Sequence, residues 1–246
     1  MIVFDQLGRK GRMGNAMWQI ASTIGIARKL NTDYGFNEWA GESAFGISLP
    51  ISHRRGHVFE EYPNMDYREQ VYEQGSNFTL DGYFQSEKYF KHIEDEIRKL
   101  FTFRKEIQER VKKKYQLSLR LDPVSFHLRK TDYVSQNWFV GPQWYLDRMS
   151  ELTGKLVMVF SDDIHYCMEL FKDFPNVQYI HEDEVDSMCL MSMCRHHVIS
   201  NSTFSWWAAW LSNSNNVVYP NRFDVINNGA CTFPNKDFYP ESWVMK

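Results

Sequence analysis

Short apolar runs alternate along the chain with longer stretches in which apolar residues recur at every third or fourth position. That alternation is the signature of α/β layers. MIVFDQ predicts a first strand, and AMWQIASTIGIARKL a helix with Met17, Ile20, Ala21, Ile24 and Ala27 on one face. Between them, GRKGRMGN is a glycine-rich turn, and TDYGFN reads as the next strand. Residues 40–80 are rich in Gly, Pro, Ser, His and Asn and carry no clear period. From 86 to 115 a charged, periodic stretch predicts one or two helices that bury Ile93, Ile97, Leu100, Ile107 and Val111. From residue 122 the alternation becomes regular. PVSFHLR, KLVMVFSDD, VQYIH, HVIS and, last, NVVYP read as strands; PQWYLDRMSEL, HYCMELFKDF, DSMCLMSMCRH and TFSWWAAWLS read as helices. The second half is thus expected to be a doubly wound parallel sheet. The boundary is expected near 116–121, giving a first domain over 1–118 and a second over 119–246.

In open parallel sheets, ligands bind at the carboxyl ends of the strands. Three strands of the second half end there in polar clusters, HLRKTD, FSDD and ISNST. A turn needs only Gly, Asn or Pro. One polar cluster could be a cap, but three on one edge point to a polar ligand. Ser202 or Thr203 sits where the N-cap of the next helix belongs. Free backbone N–H groups and the helix dipole make such a start suited to a phosphate, although the same residues also serve as a plain cap. Arg129 supplies a planar, permanently charged fork that can hold phosphate oxygens in pairs. Together these features predict a pyrophosphate clamp without metal. GRKGRMGN matches neither G-x-G-x-x-G nor a Walker loop. Its place between a strand and a helix permits close backbone approach to a ligand, with Asn15 directed at the site.

Composition narrows the partners. The 246 residues are 43% hydrophobic and 16% aromatic, enough for one large core or two small ones, and argue against disorder. A net charge of −3 gives no electrostatic footprint for nucleic acid. RVKKK at 110–114 reads as the solvated face of a helix. No run approaches the ~18 apolar residues that span a bilayer, and the N-terminus shows no secretory pattern. The expectation is a cytoplasmic protein without a transmembrane segment. Cys167, Cys189, Cys194 and Cys231 read as reduced, mostly buried thiols, and Cys189 and Cys194 lack zinc spacing. Sequons at Asn77 and Asn201 read as accidental. G-x-S-x-G and H-E-x-x-H are absent. HEDE at 181–184 reads as a charged loop, SDD lacks the D-x-D of Mn²⁺-dependent sugar transfer, and HRRG at 53–56 is a decoy in an unpatterned region. Asp5, Asp33 and Glu38 are first-half carboxylates near predicted strand ends, none with motif support as a general base.

GRMGNAMWQIA, GYFQSEKYF, HLRKTDYV, FSDD and DSMCLMSMCRHHVISNSTFSWWAAWL, in this order and across nearly the whole chain, resemble the α-1,2-fucosyltransferases of glycosyltransferase family 11. The resemblance implies a GT-B fold, two Rossmann-like domains with a cleft between them and the donor held mainly by the second. It also implies GDP-L-fucose as donor, inversion at the anomeric carbon, a glycan hydroxyl as acceptor, and neither cofactor nor metal. By motif, Arg129 would hold the diphosphate and support the departing GDP, while His127 and Asp132 would shape the nucleotide site. Asn15 would lie near the fucose, Asp186 would read the guanine, and Ser202, Thr203 and Phe204 would line the phosphates and base. Gly14, Asp162 and Asn201 complete the implied donor-binding set. The sequence departs from the family pattern in two places. Arg-Arg-Gly-Asp is Arg129-Lys130-Thr131-Asp132 here, closer to the α-1,6-fucosyltransferase version, and the Gln of the first motif is Ala16. Two other readings stand beside this one. One is transfer of another GDP- or nucleotide-activated deoxysugar; the other is a catalytically silent nucleotide- or glycan-binding protein.

Overall fold

The computed structural model describes residues 1–52, 56–61, 66–69, 77–221 and 236–246, in two compact units. His53 to Arg55 of the HRRG segment, and Cys231, lie outside the described residues.

The first unit contains β1 (Ile2–Phe4), α1 (Met13–Lys29), β2 (Tyr34–Phe36), α2 (Glu42–Phe45), β3 (His57–Glu60), β4 (Phe78–Asp81) and α3 (Glu94–Leu100). Its four strands are all parallel, in the order β2-β1-β4-β3. β3 and β4 fall in the stretch without a legible period. β3 is an edge strand with mostly exposed side chains, so burial imposes little alternation on it. α1 is buried on nearly every side from Met13 to Ala27, well beyond the single face its period predicts. Gly25 belongs to that burial, because a Cβ there would stand 2.2 Å from the Tyr89 carbonyl oxygen. A mid-helix glycine costs about 1 kcal/mol of helix propensity, and here it admits a neighbouring backbone. Residues 236–240 also belong to this unit. Asp237 accepts from the Tyr67 backbone N–H at 3.2 Å and pairs with Lys88 at 2.5 Å, and the Phe238 ring lies 6.0 Å from that of Trp18.

The second unit contains α4 (Lys105–Lys114), α5 (Gln116–Leu119), β5 (Val124–Leu128), α6 (Thr131–Ser135), α7 (Pro142–Ser150), β6 (Val157–Ser161) and α8 (Ile164–Leu170). β7 (Val177–Tyr179), α9 (Glu184–Ser192), β8 (His196–Val198), α10 (Thr203–Leu211), β9 (Val217–Tyr219) and β10 (Val244–Met245) follow. Six parallel strands run β10-β9-β8-β5-β6-β7. This is the doubly wound order, and its direction reverses between β5 and β8. NVVYP is not the last strand: the two-residue β10, too short to leave a pattern, adds to its edge. The unit opens at Lys105, ahead of the expected boundary between 118 and 119. The cause is docking of α4 onto α9, where Arg110 pairs with Asp186 and Lys114 with Glu182. Two of the four basic residues of RVKKK, Arg110 and Lys114, are therefore fasteners, while Lys112 and Lys113 face solvent.

β5 is buried throughout, as a central parallel strand must be. Val124, Phe126 and Leu128 on one face join Tyr145 and Met149 of α7, Val157 and Val159 of β6, and Cys167 of α8 in a single core. The residues between them, Ser125 and His127, bond instead to side chains at the β8 end of the sheet. Trp206, Trp207 and Trp210 of α10 form a buried aromatic cluster with Trp243, so the tryptophans of SNSTFSWWAAW are scaffold. Among the described residues, no helix is long and apolar enough to cross a membrane.

Candidate active site

The carboxyl ends of β5 and β8 meet where the strand order of the second unit reverses, the place where open α/β sheets take their ligands. From β5 the chain passes through Arg129 and Lys130 into the short helix α6. Arg129 lies 2.7 Å from Asp132 Oδ1 and 3.2 Å from Asp162 Oδ2, with its guanidinium 5.5 Å from the Tyr133 ring centre. Its side chain is 13% exposed. Asp162, at the end of β6, also accepts from the backbone N–H groups of Lys130 at 2.9 Å and Thr131 at 3.1 Å, and from the Thr131 hydroxyl. One carboxylate thus caps the first turn of α6 and orients the arginine.

Lys130 goes elsewhere. Its ammonium bonds Asp163 at 2.8 Å and stands 4.3 Å from the Tyr166 ring centre. Asp163 is in turn the N-cap of α8, accepting from Tyr166 N–H at 3.1 Å. The Lys130 pairing depresses the Asp163 carboxyl and raises the lysine.

At the β8 end, Ser202 is the N-cap of α10, accepting from Phe204 N–H at 3.3 Å; Thr203 opens the helix. Asn201 is 6% exposed; its side-chain N–H donates to the Trp138 carbonyl at 2.9 Å, and its Oδ1 is buried without a partner. So buried an asparagine cannot serve as a glycan acceptor in the folded chain. His127 Nδ1 meets Ser200 Oγ at 2.9 Å, and its ring lies 5.6 Å from that of Phe204. Burial, and then the nearby Arg129 charge, pull the His127 pKa down to about 3, so the ring is neutral. His127, Arg129, Asp132, Asp162, Asn201, Ser202, Thr203 and Phe204 thus gather about the ends of β5, β6 and β8 and the segments that follow them.

Asp186 is placed differently. It stands in the first turn of α9, where Arg110 grips both its oxygens at 3.0 and 2.5 Å. Tyr115 and Lys114 both hold Glu182 of HEDE, and Asp183 is the N-cap of α9, so that segment is a structural loop. Cys167, Cys189 and Cys194 are free and buried, and burial raises each thiol, to about 11, 12 and 12. They are inert packing groups.

Gly14 and Asn15 belong to the first unit, in the opening turn of α1. Asn15 Oδ1 accepts from Gln85 at 3.0 Å. Gly11 has φ +91° and lies so close to the Asn15 side chain that a Cβ would collide with it. Buried Gln19 donates to the carbonyls of Lys10 and Gly82, both at 3.2 Å, tying the glycine loop to the turn after β4. Asp33 precedes β2, at the amino edge of the sheet, so it does not face the ligand-binding edge. The carboxyl edge carries Asp5 after β1, Glu38 beyond β2, Glu61 after β3 and Asp81 at the end of β4. Asp81 pairs with Lys10. Glu61 accepts from the N–H groups of Tyr83 at 2.6 Å and Phe84 at 2.8 Å, and burial raises its carboxyl to about 7. Tyr133 and Ser205 were not singled out as site residues from the sequence, and Ser200 stood in the ISNST cluster without a role of its own.

The sequence matches glycosyl transferase family 11 over residues 4–245. It is 34% identical to an alpha-1,2-colitosyltransferase of Escherichia coli over 148 residues, 54% of this chain and 50% of that protein. It is 27% identical to the galactoside 2-alpha-L-fucosyltransferase SEC1 of Bos taurus over 280 residues, 97% of this chain and 72% of that one. The first match thus spans only half of its relative's length. The crystal structure of fucosyltransferase NodZ from Bradyrhizobium superimposes with a TM-score of 0.60 at 14% identity, over 85% of this chain and 93% of that one. A NodZ alpha-1,6-fucosyltransferase structure co-crystallized with GDP gives 0.57 at 15%, over 85% and 92%. Two Rossmann-like units built from parallel sheets, with the likeness to NodZ, show the GT-B fold, and the family match makes the chain a glycosyltransferase of that fold. Within that class, the chain belongs to glycosyl transferase family 11.

Proposed function

We propose that the protein is an inverting fucosyltransferase that moves L-fucose from GDP-β-L-fucose to a hydroxyl of a glycan acceptor, with α-1,2 linkage. The observation that carries this reading is the Arg129 cluster beside the start of α10, at the strand-order reversal of a family 11 chain. The acceptor oxygen attacks the anomeric carbon from the face opposite GDP. The bond to the leaving oxygen breaks, its electron pair passes to the diphosphate, and the configuration inverts. A fixed guanidinium stabilises that growing charge more than it stabilises the ground state. Asp132 and Asp162 use part of the guanidinium and aim the rest, since arginine has five N–H donors. Asn201, Ser202, Thr203 and Phe204 line the donor with His127. Asp186 accepts from guanine on lone pairs that Arg110 leaves open. The diphosphate charge is met by the protein, so transfer is expected to persist in excess EDTA; abolition with rescue by Mn²⁺ would refute that part.

The colitosyltransferase relative supports a second reading, transfer of another GDP-activated deoxysugar. A donor panel of GDP-fucose, GDP-colitose, GDP-mannose and a UDP-sugar tests both, each assayed for hydrolysis and for binding by saturation-transfer NMR. Turnover of GDP-fucose above the rest supports the first reading, preference for GDP-colitose the second. GDP binding without turnover of any donor would mark a catalytically silent protein.

A further inference from the structure

A polar seam runs through the second unit between the sheet and α10. Ser125 and His127 share one face of β5, being two residues apart, and Ser205 and Ser212 share one face of α10, being two helical turns apart. β8 contributes His197, and Ser200 follows it.

Counting protons along the seam fixes the tautomer of His197 and narrows the choice for His127. Ser212 Oγ is 2.6 Å from the Ala209 carbonyl, which can only accept, so the Ser212 proton is committed there. Ser212 must then accept from His197 Nε2, 2.9 Å away. His197 Nδ1 in turn accepts from Ser125, also at 2.9 Å. Both nitrogens of this ring are satisfied.

His127 follows the same logic with one end open. Ser205 Oγ donates to the Ser202 carbonyl at 3.2 Å, so toward Ser200 it can only accept. Ser200 has one proton and two possible acceptors, His127 Nδ1 at 2.9 Å and Ser205 Oγ at 3.5 Å. With Nδ1 bare, Ser200 donates along the 2.9 Å contact and gives up only the marginal 3.5 Å one; with Nδ1 protonated, Ser200 accepts there and can donate only to Ser205 across 3.5 Å. We adopt the first arrangement. Nδ1 is then an acceptor, and the single N–H of the neutral ring is on Nε2. Nε2 has no hydrogen-bond partner among the described residues, although His127 is only 4% exposed. At the same strand ends Asn201 Oδ1 is a buried polar atom left unpaired among the described residues.

We infer that Ser200 is a positioning residue, which locks His127 as a neutral Nε2–H donor for a diphosphate oxygen of the donor beside Arg129. The inference rests on the donor-site reading above. It separates His127 from His197: the two rings have the same tautomer, but one is closed at both ends and the other keeps a donor for a ligand.

Histidine ¹⁵N NMR of the whole chain, paired with GDP calorimetry, tests this. In the wild type His127 is expected to show the Nε2–H signature, and a Nδ1–H signature would overturn the inference without any variant. Ser200→Ala should mix the tautomers of His127, leave that of His197 unchanged and weaken GDP binding about tenfold, the order expected for one hydrogen bond to a charged group. Ser200→Thr, which keeps the hydroxyl, should restore both signals. Ser200→Ala with an unchanged tautomer, or with wild-type GDP affinity, would overturn the positioning role while the fucosyl reading stood. Failure of the wild type to bind GDP, with the Nε2–H signature present, would overturn the donor-site reading and the diphosphate role with it.

Discussion

Two arginine–aspartate clusters stand on the second unit, built from the same residue types in different surroundings. Arg110 joins α4 to Asp186 on α9 as a bidentate pair, with its side chain 56% exposed. Water solvates what the exposed guanidinium leaves over, so Arg110 asks for no further partner, and its main consequence is to hold two helices together. Arg129 is 13% exposed and shares two carboxylates, one of which also caps a helix. Around it, Asn201 Oδ1 is a buried polar atom without a hydrogen bond, and Nε2 of the largely buried His127 has no hydrogen-bond partner, among the described residues. Buried polar groups are nearly always satisfied, and the exceptions call for an explanation. The difference teaches that an arginine–aspartate contact does not by itself mark a site. What marks the Arg129 cluster is the unsatisfied capacity around it, at the one place in the sheet where the strand order reverses.

The largest effect should come from Arg129. Loss of one preorganised donor to the leaving group typically lowers the rate on the order of 10²–10³-fold, so Arg129→Ala should fall to near background with GDP-fucose. Arg129→Lys keeps the charge without the fork and should be severely impaired at a melting temperature close to wild type. Near-wild-type turnover by Arg129→Lys would erase the distinction between the two clusters.

Asp186 comes next. As an acceptor for guanine, its loss should weaken GDP binding by about 1–3 kcal/mol and leave UDP binding unchanged. Calorimetry showing the same change for both nucleotides would reduce Asp186 to a fastener for α4.

A pH effect distinguishes the clusters in another way. His127 titrates near 3 and His197 near 4 in the folded chain, against 6.5 unperturbed, in both cases chiefly through burial. The unfolded chain therefore takes up protons that the folded chain refuses. Stability is full above pH 6.5 and should decline as the pH falls from there toward 4. Thermal melts across that range check the slope. Removing Arg129 relieves the second cause of the His127 shift and should shrink that slope, whereas Arg110→Ala should not change it. An equal response to both substitutions would sink the assignment.

The smallest effect on turnover is expected from Arg110→Ala itself, which should lower the melting temperature, because Asp186 is only 10% exposed and loses its cation, with turnover little changed. A large loss of turnover would place Arg110 in the nucleotide site after all.

Much of this arrangement was legible in the order of residues. The alternation from residue 122 onward gave the parallel sheet, because buried strands and helices each impose their own period on the chain. Ser202 could be read as a cap, and Arg129 as a charge at a strand end, because each depends on its immediate neighbours. Partners distant in the chain could not be read. Asp162 reaches Arg129 through the β5–β6 register, and Ser200 reaches His127 through the β5–β8 register. Lys130 kept its charge but spent it on Asp163, and Asp186 was already held by Arg110. Sequence by itself determined the layers, the caps and which charged residues stand at strand ends, since these follow from local periodicity and local hydrogen bonding. Tertiary structure alone decided which of those charges neutralise one another and which polar atoms are left unpaired, because pairing requires two segments far apart in sequence to arrive within about 3 Å, and no local pattern encodes that distance.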